Sequence, residues 1–392
     1  MASSAPIYLD NHATTAVDPR VVEAMIPYLT EHFGNPASSG HAMGWFAKEA
    51  VELARDEVAA MVGASPKEIV FTSGATESTN LAILGAARAN RHKGQHLITL
   101  ATEHKATLDA CAALEEEGFE TTIVPVQASG IVDLEELARA IRPETLLISV
   151  LMANNEIGSL QPVAAIGALC RERGILFHTD VAQATGKVPV HAEALNADLI
   201  SITAHKMHGP KGIGALYVRR GRPRVKISAL IHGGGQERGL RSGTLATHQI
   251  VGLGKACVFA LEALENGEVQ QMKHLRDRLW NALQEGIPGV QLNGSMANRL
   301  PNNLNVSIPD VDSKALLMAT RRVAVSSGSA CASSTLTPSH VLQALGTSDT
   351  EQHTAIRFGV GRFNTEEEID EVAALFTEKV AAIQAMEAEM GL

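Results

Sequence analysis

ADLISITAHKMHGPKGIG, residues 197 to 214, is the stretch that decides how this chain is read. Leu199 to Thr203 is short, apolar and β-branched, the make-up of a buried strand, and the Gly-Pro-Lys-Gly-Ile-Gly that begins at Gly209 breaks any regular continuation. Lys206 therefore emerges from a strand end. An amine in such a place becomes nucleophilic when desolvation or a neighbouring cation lowers its pKa, and it can then carry a Schiff base. Taken alone, the commoner outcome is a solvated loop lysine.

Two further strand ends change that balance. The run from Ile175 to Asp180 closes on a carboxylate, with Gln183 one helical turn beyond. Ile69 to Phe71 leads into Thr72, Ser73, Gly74, Ala75, Thr76 and Glu77, where a strand gives way to a helix through small and hydroxyl residues. Such a turn points open backbone N–H groups at an anion. An amine, a carboxylate and a phosphate cradle at three strand ends suit pyridoxal phosphate, because ligands of open α/β sheets gather outside the carboxyl ends of the strands.

Outward from these ends the chain alternates. Strands are expected at 96–100, 121–124, 146–151, 175–180, 199–203 and 215–218, with helices near 76–90, 104–117, 133–141 and 162–173, which implies a mainly parallel sheet covered on both faces. Before them, Asp18 caps an expected opening helix over 19–33 whose Val22, Met25, Ile26 and Leu29 recur at helical spacing, and a second helix spans 45–62. After Gly254 the texture shifts to helices at 257–264 and 269–285 and short strands at 290–292 and 303–307, a smaller α+β domain. The last helix, 365–389, opens on Thr365 followed by Glu366, Glu367 and Glu368, an acidic first turn that suits the helix dipole.

The 392 residues, 45% hydrophobic and 19% charged, are ordinary for a soluble globular enzyme and leave ample material for a core. A net charge of -10 argues against broad attraction to nucleic acid or membrane, although Arg219, Arg220, Arg222, Arg224 and Lys226 form a local basic island, read equally well as a solvated hairpin or a docking patch. No basic start precedes an apolar core at the N-terminus and no run reaches transmembrane length, so a cytoplasmic protein is expected. Cys111, Cys170, Cys257 and Cys331 lie far apart, which suggests neither a disulfide framework nor a metal site. Three of them sit in apolar helical contexts, whereas Cys331 lies in SSGSACASS, residues 326 to 334, a small, polar stretch suited to a mobile, reactive thiol.

Read together, LDNHATT at 9–15, FGNPAS at 33–38, FTSGATES at 71–78, TEHKA at 102–106, NNEIG at 154–158, AHKMHGPKGIGALYVRR at 204–220, GGGQERGLRSGT at 233–244 and SSGSACASS closely resemble the NifS/IscS-type cysteine desulfurases, nearly end to end. The resemblance implies the aminotransferase-like fold type I of pyridoxal phosphate enzymes. It divides the chain into a large cofactor domain at 15–258, with a mainly parallel seven-stranded sheet, and a smaller α+β domain formed by 1–14 and 259–392. It implies that Lys206 carries the cofactor and removes the Cα proton, that Asp180 pairs with the pyridinium nitrogen, and that His104 stacks on the ring and takes part in catalysis by moving protons there. Gln183 and Asn155 would lie near the phenolic oxygen, with Asn155 also near the substrate carboxylate. Ala75, Thr76, Thr203 and His205 would hold the phosphate, Thr203 standing where many relatives have serine. Thr244 would reach the phosphate of a neighbouring subunit in a homodimer. Arg357 is favoured over the nearby Arg362 for the substrate carboxylate, a task suited to a planar bidentate fork.

Cys331 would attack the sulfur of L-cysteine, leaving L-alanine and a persulfide that passes to an acceptor such as an iron–sulfur scaffold or a tRNA-thiolation partner. The chain ends at Leu392 without the longer tail by which several relatives engage such a scaffold, so scaffold docking stays open. Selenocysteine lyase is the neighbouring alternative, an aminotransferase a more distant one, and an idle sulfur-relay or scaffold subunit the non-enzymatic one.

Overall fold

A computed structural model describes residues 6–221, 224–327, 339–348 and 352–390. Cys331 and part of the basic island lie outside the described residues. The chain enters through β1 (Ile7–Tyr8), α1 (Pro19–Met25), α2 (Pro27–Thr30) and α3 (Ala42–Met61). It then alternates through β2 (Ile69–Thr72), α4 (Ala75–Asn90), β3 (His96–Leu100), α5 (Lys105–Glu116), β4 (Glu120–Val124), α6 (Leu134–Arg139), β5 (Thr145–Ser149), α7 (Val163–Arg173), β6 (Leu176–Asp180), β7 (Leu199–Thr203) and β8 (Gly214–Val218). These strands form one seven-stranded sheet in the order β2-β8-β7-β6-β5-β3-β4. Neighbours from β7 to β4 are parallel, and β8 runs antiparallel to both β2 and β7. Every residue of β2, β3, β5, β7 and β8 is buried, as continuous apolar runs require when helices cover both faces.

Two hydrophobic cores organise the molecule. The larger packs α3 and α8 (Thr247–Glu265) against the sheet through residues such as Val51, Phe71, Phe177, Ile200, Leu253 and Cys257. The other joins α9 (Glu268–Gly286), β9 (Gln291–Leu292), β10 (Asn303–Ser307), α10 (Ser313–Ala319), β11 (Val323–Ala324), β12 (Ala355–Gly359) and α12 (Glu366–Met390) around Leu279, Leu304, Phe358 and Phe376, with the short α11 (His340–Ala344) preceding β12. The rings of Phe358 and Phe376 meet edge-on with centroids 5.0 Å apart. Leu9, from the opposite end of the chain, belongs to this second core, and β1 pairs in parallel with β11. The N-terminal residues are thereby stitched to the C-terminal unit.

One sequence expectation needs correction, and two strands lie outside the expected set. The opening helix is two short ones, because Pro27 supplies no N–H to continue the first. Val22, Ile26 and Leu29, which recur at helical spacing, are exposed. β11 and β12 were not anticipated: a two-residue strand is too short to show periodicity, and Arg357 interrupts the apolar run of the other. The expected capping holds, with Asp18 accepting the Arg20 N–H at 2.9 Å, and Thr365 and Glu368 capping α12 reciprocally.

Candidate active site

The β2–α4 turn is shaped by close backbone approach. A Cβ on Gly214 would fall 2.4 Å from the Ile202 carbonyl oxygen and 2.7 Å from Gly74 Cα, so only glycine lets β8 pass the turn. Gly74 itself has φ +151° and provides no side-chain cap to α4, whose first turn therefore opens at Ala75 and Thr76 as a cradle for an anion. Glu77 is tied off, accepting from the Ser73 N–H at 2.7 Å and from Arg241 Nε at 2.9 Å.

At the end of β6, Asp180 accepts the Ala182 N–H at 2.8 Å, which caps the following turn and leaves its second oxygen available. Burial pushes its carboxyl up, while His104 and Lys206 pull the other way. At the end of β7, a single 3-10 turn from Ala204 carries Lys206, whose amine donates to the His12 carbonyl. His104 caps α5, its Nδ1 accepting the Ala106 N–H at 3.1 Å, which puts the ring proton on Nε2. His205 Nδ1 lies 3.2 Å from Thr14 Oγ1, and burial followed by the charges of Lys206 and Lys211 pushes its imidazole down to about 4.

Arg357 is fully buried on β12. Its Nη1 donates to the Asn155 carbonyl at 2.8 Å and its Nη2 to Asp10 Oδ1 at 2.7 Å, which leaves part of the guanidinium fork for another acceptor. Arg362 is committed elsewhere, to Asp18 Oδ2 and Glu268 Oε1, each at 2.6 Å.

One cavity of about 500 Å³ is lined by Ala75, Thr76, His104, Asn155, Asp180, Gln183, Thr203, His205, Lys206 and Arg357. Arg362 does not line it, and neither does the exposed Thr244. His12 is a member that the sequence reading left without a role. It is buried, its Nδ1 lies 3.0 Å from Gln183 Oε1, and its carbonyl accepts from Gln183 Nε2 at 3.0 Å as well as from Lys206. Burial, followed by Arg357, keeps the imidazole neutral, and Nε2 has no partner among the described residues. Only its place in LDNHATT signalled it, because the contacts span more than 170 residues of sequence.

The donor set fits pyridoxal phosphate: an uncapped helix start for the phosphate, a half-buried carboxylate for a pyridinium, an imidazole, and a lysine amine, on a cavity of ligand size. Fold and cavity together define a pyridoxal-phosphate-dependent enzyme of fold type I. The aminotransferase class-V family profile matches residues 7–372. The chain is 57% identical over 384 residues to the cysteine desulfurase IscS of Neisseria meningitidis serogroup A, covering 98% of this chain and 94% of that one. Among solved structures, a NifS-like protein superposes with a TM-score of 0.89 at 39% identity, covering 96% of this chain and 99% of that one. SspA in complex with cysteine does so with a TM-score of 0.80 at 38% identity, over 92% and 100% of the respective chains. The chain belongs to the class-V aminotransferase family, among its cysteine desulfurases. Among the described residues, no helix is long and apolar enough to cross a membrane.

Proposed function

We propose that this enzyme converts L-cysteine to L-alanine and captures the released sulfur as a persulfide on Cys331. The observation that carries the reading is the single cavity onto which Lys206, Asp180, His104 and Arg357 converge beside the open start of α4. When bound, pyridoxal phosphate supplies an electron sink conjugated to the substrate Cα. Ala75, Thr76, Thr203 and His205 hold its phosphate, Asp180 its ring nitrogen, His104 its ring face, and Gln183 and Asn155 its phenolic edge. Arg357 binds the substrate carboxylate and so aligns the Cα proton with the Lys206 amine, which removes it. The Cys331 thiolate then attacks the substrate sulfur. An S–S bond forms as the Cβ–S bond breaks, the bonding pair passes to carbon, and proton uptake leaves the methyl group of alanine. The buried thiols Cys111, Cys170 and Cys257 are unsuited to this role, since burial raises each well above its ordinary value.

The active form is a homodimer in which Thr244 completes the phosphate site of the partner. Its exposure outside its own cavity supports this, as do the exposed Phe33, Trp45, Phe46 and Leu53 near and on α3. Iron–sulfur assembly is the leading destination of the sulfur, tRNA thiolation a second, and the cytoplasm the expected compartment. The large domain spans 15–258 and the small one the remainder. The deciding experiment supplies L-cysteine, L-selenocysteine or a keto acid acceptor to the purified enzyme and quantifies alanine. Alanine from cysteine that disappears in Cys331→Ala supports the reading. Turnover of selenocysteine alone, or amino transfer to the keto acid, replaces it.

A further inference from the structure

Behind Lys206, on the side away from the cavity that receives the substrate, a second lysine is buried. Lys187 follows the turn that closes on Gly186, where φ is +72° and an added Cβ would lie 2.9 Å from Ala260 Cβ on α8. Glycine there lets the chain press against α8 and turns the next side chain inward. Lys187 is 7% exposed. Its Nζ donates to the Lys206 carbonyl at 2.8 Å and to the Thr185 carbonyl at 3.4 Å. It lines a small space with Thr185, Lys206, Glu268, Asn302 and Arg362. Thr185 Oγ1 and Asn302 Oδ1 are buried there without partners among the described residues.

The charges around it make this an unfavourable place for an ammonium. Arg362 and Lys206 oppose it, and Glu268, the carboxylate in the same space, is already engaged by Arg362. The three histidines that share its surroundings, His12, His205 and His208, are all held neutral by burial. Burial, with Lys206 as the second cause, pushes the Lys187 amine down to about 7. A buried cation with carbonyl partners alone costs stability, so its placement against the back of Lys206 calls for a compensating role.

We propose that Lys187 is a positioning residue for Lys206: its amine grips the Lys206 carbonyl and fixes the 3-10 turn that aims the cofactor-bearing amine, while its charge opposes a second positive charge on the Lys206 nitrogen. The inference rests on the reading that Lys206 bears the cofactor. Two neighbouring amines interact as one titrating pair rather than as independent groups. With the Lys206 nitrogen bonded to the cofactor one of the charges opposing it is removed, so the Lys187 amine binds its proton more readily, and in its protonated form it disfavours protonation of that nitrogen.

The test is a pH titration of the visible absorption of the cofactor-loaded enzyme, for the wild type and for Lys187→Met, Lys187→Gln and Lys187→Arg. Borohydride reduction and peptide mapping identify the lysine that carries the cofactor. Losing the cation should raise the titration midpoint by roughly 0.5–1 pH unit in the Met and Gln variants, the scale of a screened like-charge contact, while Arg stays near the wild type. Gln keeps a donor for the Lys206 carbonyl and so separates charge from hydrogen bonding if Met fails to fold. Midpoints in the folded Met or Gln variant that coincide with the wild type, with the cofactor on Lys206, overturn the inference. Cofactor found on another lysine overturns the underlying reading instead.

Discussion

Replacing Arg357 by methionine removes the guanidinium but keeps an unbranched apolar side chain in its fully buried site on β12. The group lost has one arm on the Asn155 carbonyl and one on Asp10, and the rest of its fork faces the cavity. If that fork binds the substrate carboxylate, two charge-assisted hydrogen bonds go, about 3–5 kcal/mol in the bound state. That corresponds to a fall of roughly 10²–10⁴-fold in kcat/KM, with a share appearing in KM because the ground state is held by the same contacts. Arg362→Met is the control. Its partners Asp18 and Glu268 lie outside the cavity, and Asp18 is nearly inaccessible, so that variant should lose about 3–5 kcal/mol of stability while the folded fraction keeps its KM. Alanine release against L-cysteine concentration, paired with urea denaturation, reads both quantities. An Arg357→Met enzyme whose KM and kcat/KM stay within about twofold of the wild type refutes the assignment, since even one lost charged bond exceeds that.

Lys206→Ala should abolish turnover and the borohydride-reducible cofactor link, which mass spectrometry checks; a reducible link reappearing at Lys211 would show the wrong amine had been chosen. Native alkylation at neutral pH should modify Cys331 and spare Cys111, whose thiol burial pushes up to about 12, together with Cys170 and Cys257; rapid labelling of any of these three before unfolding contradicts that ranking. Glu237→Gln should lower stability by about 3–5 kcal/mol, because the buried Glu237 carboxylate holds Arg55 at 2.7 and 2.8 Å and the Phe71 N–H at 2.8 Å; an unchanged urea midpoint would sink this. His178, bridging Ser149 and Ser201, is pushed down to about 3 by burial, so the unfolded chain binds the extra proton once pH falls below its ordinary value. Stability therefore drops between about pH 6.5 and the folded value, and His178→Gln should lose less urea resistance than the wild type between about pH 7 and 5; parallel curves would argue against it.

The sheet was readable because its strands are apolar, β-branched and bounded by glycine, proline or polar turns. Leu199–Thr203 and His96–Leu100 stand where their composition puts them. Their carboxyl ends, and hence the neighbourhood of Asp180 and Lys206, follow from the same pattern. Long-range pairing leaves no local trace. Nothing near His12 announces Gln183, and nothing near Arg357 announces Asp10, 347 positions away. A buried charge inside a short strand reads as a break until its partner is known, and Arg357 gives β12 that signature. Pro27 was a visible signal outweighed by the helical spacing around it. The exposed stripe of Val22, Ile26 and Leu29 shows that periodicity identifies a face without saying what covers it.

A single-turnover measurement decides whether Cys331 receives the sulfur as a persulfide. The cofactor-loaded enzyme is mixed with one equivalent of sulfur-labelled L-cysteine, quenched with an alkylating agent and digested, while alanine is quantified in the supernatant. One labelled sulfur per alanine on the peptide containing Cys331 is the predicted result. Alanine formed with the label free in solution from the outset, or attached to Cys111, Cys170 or Cys257, contradicts it.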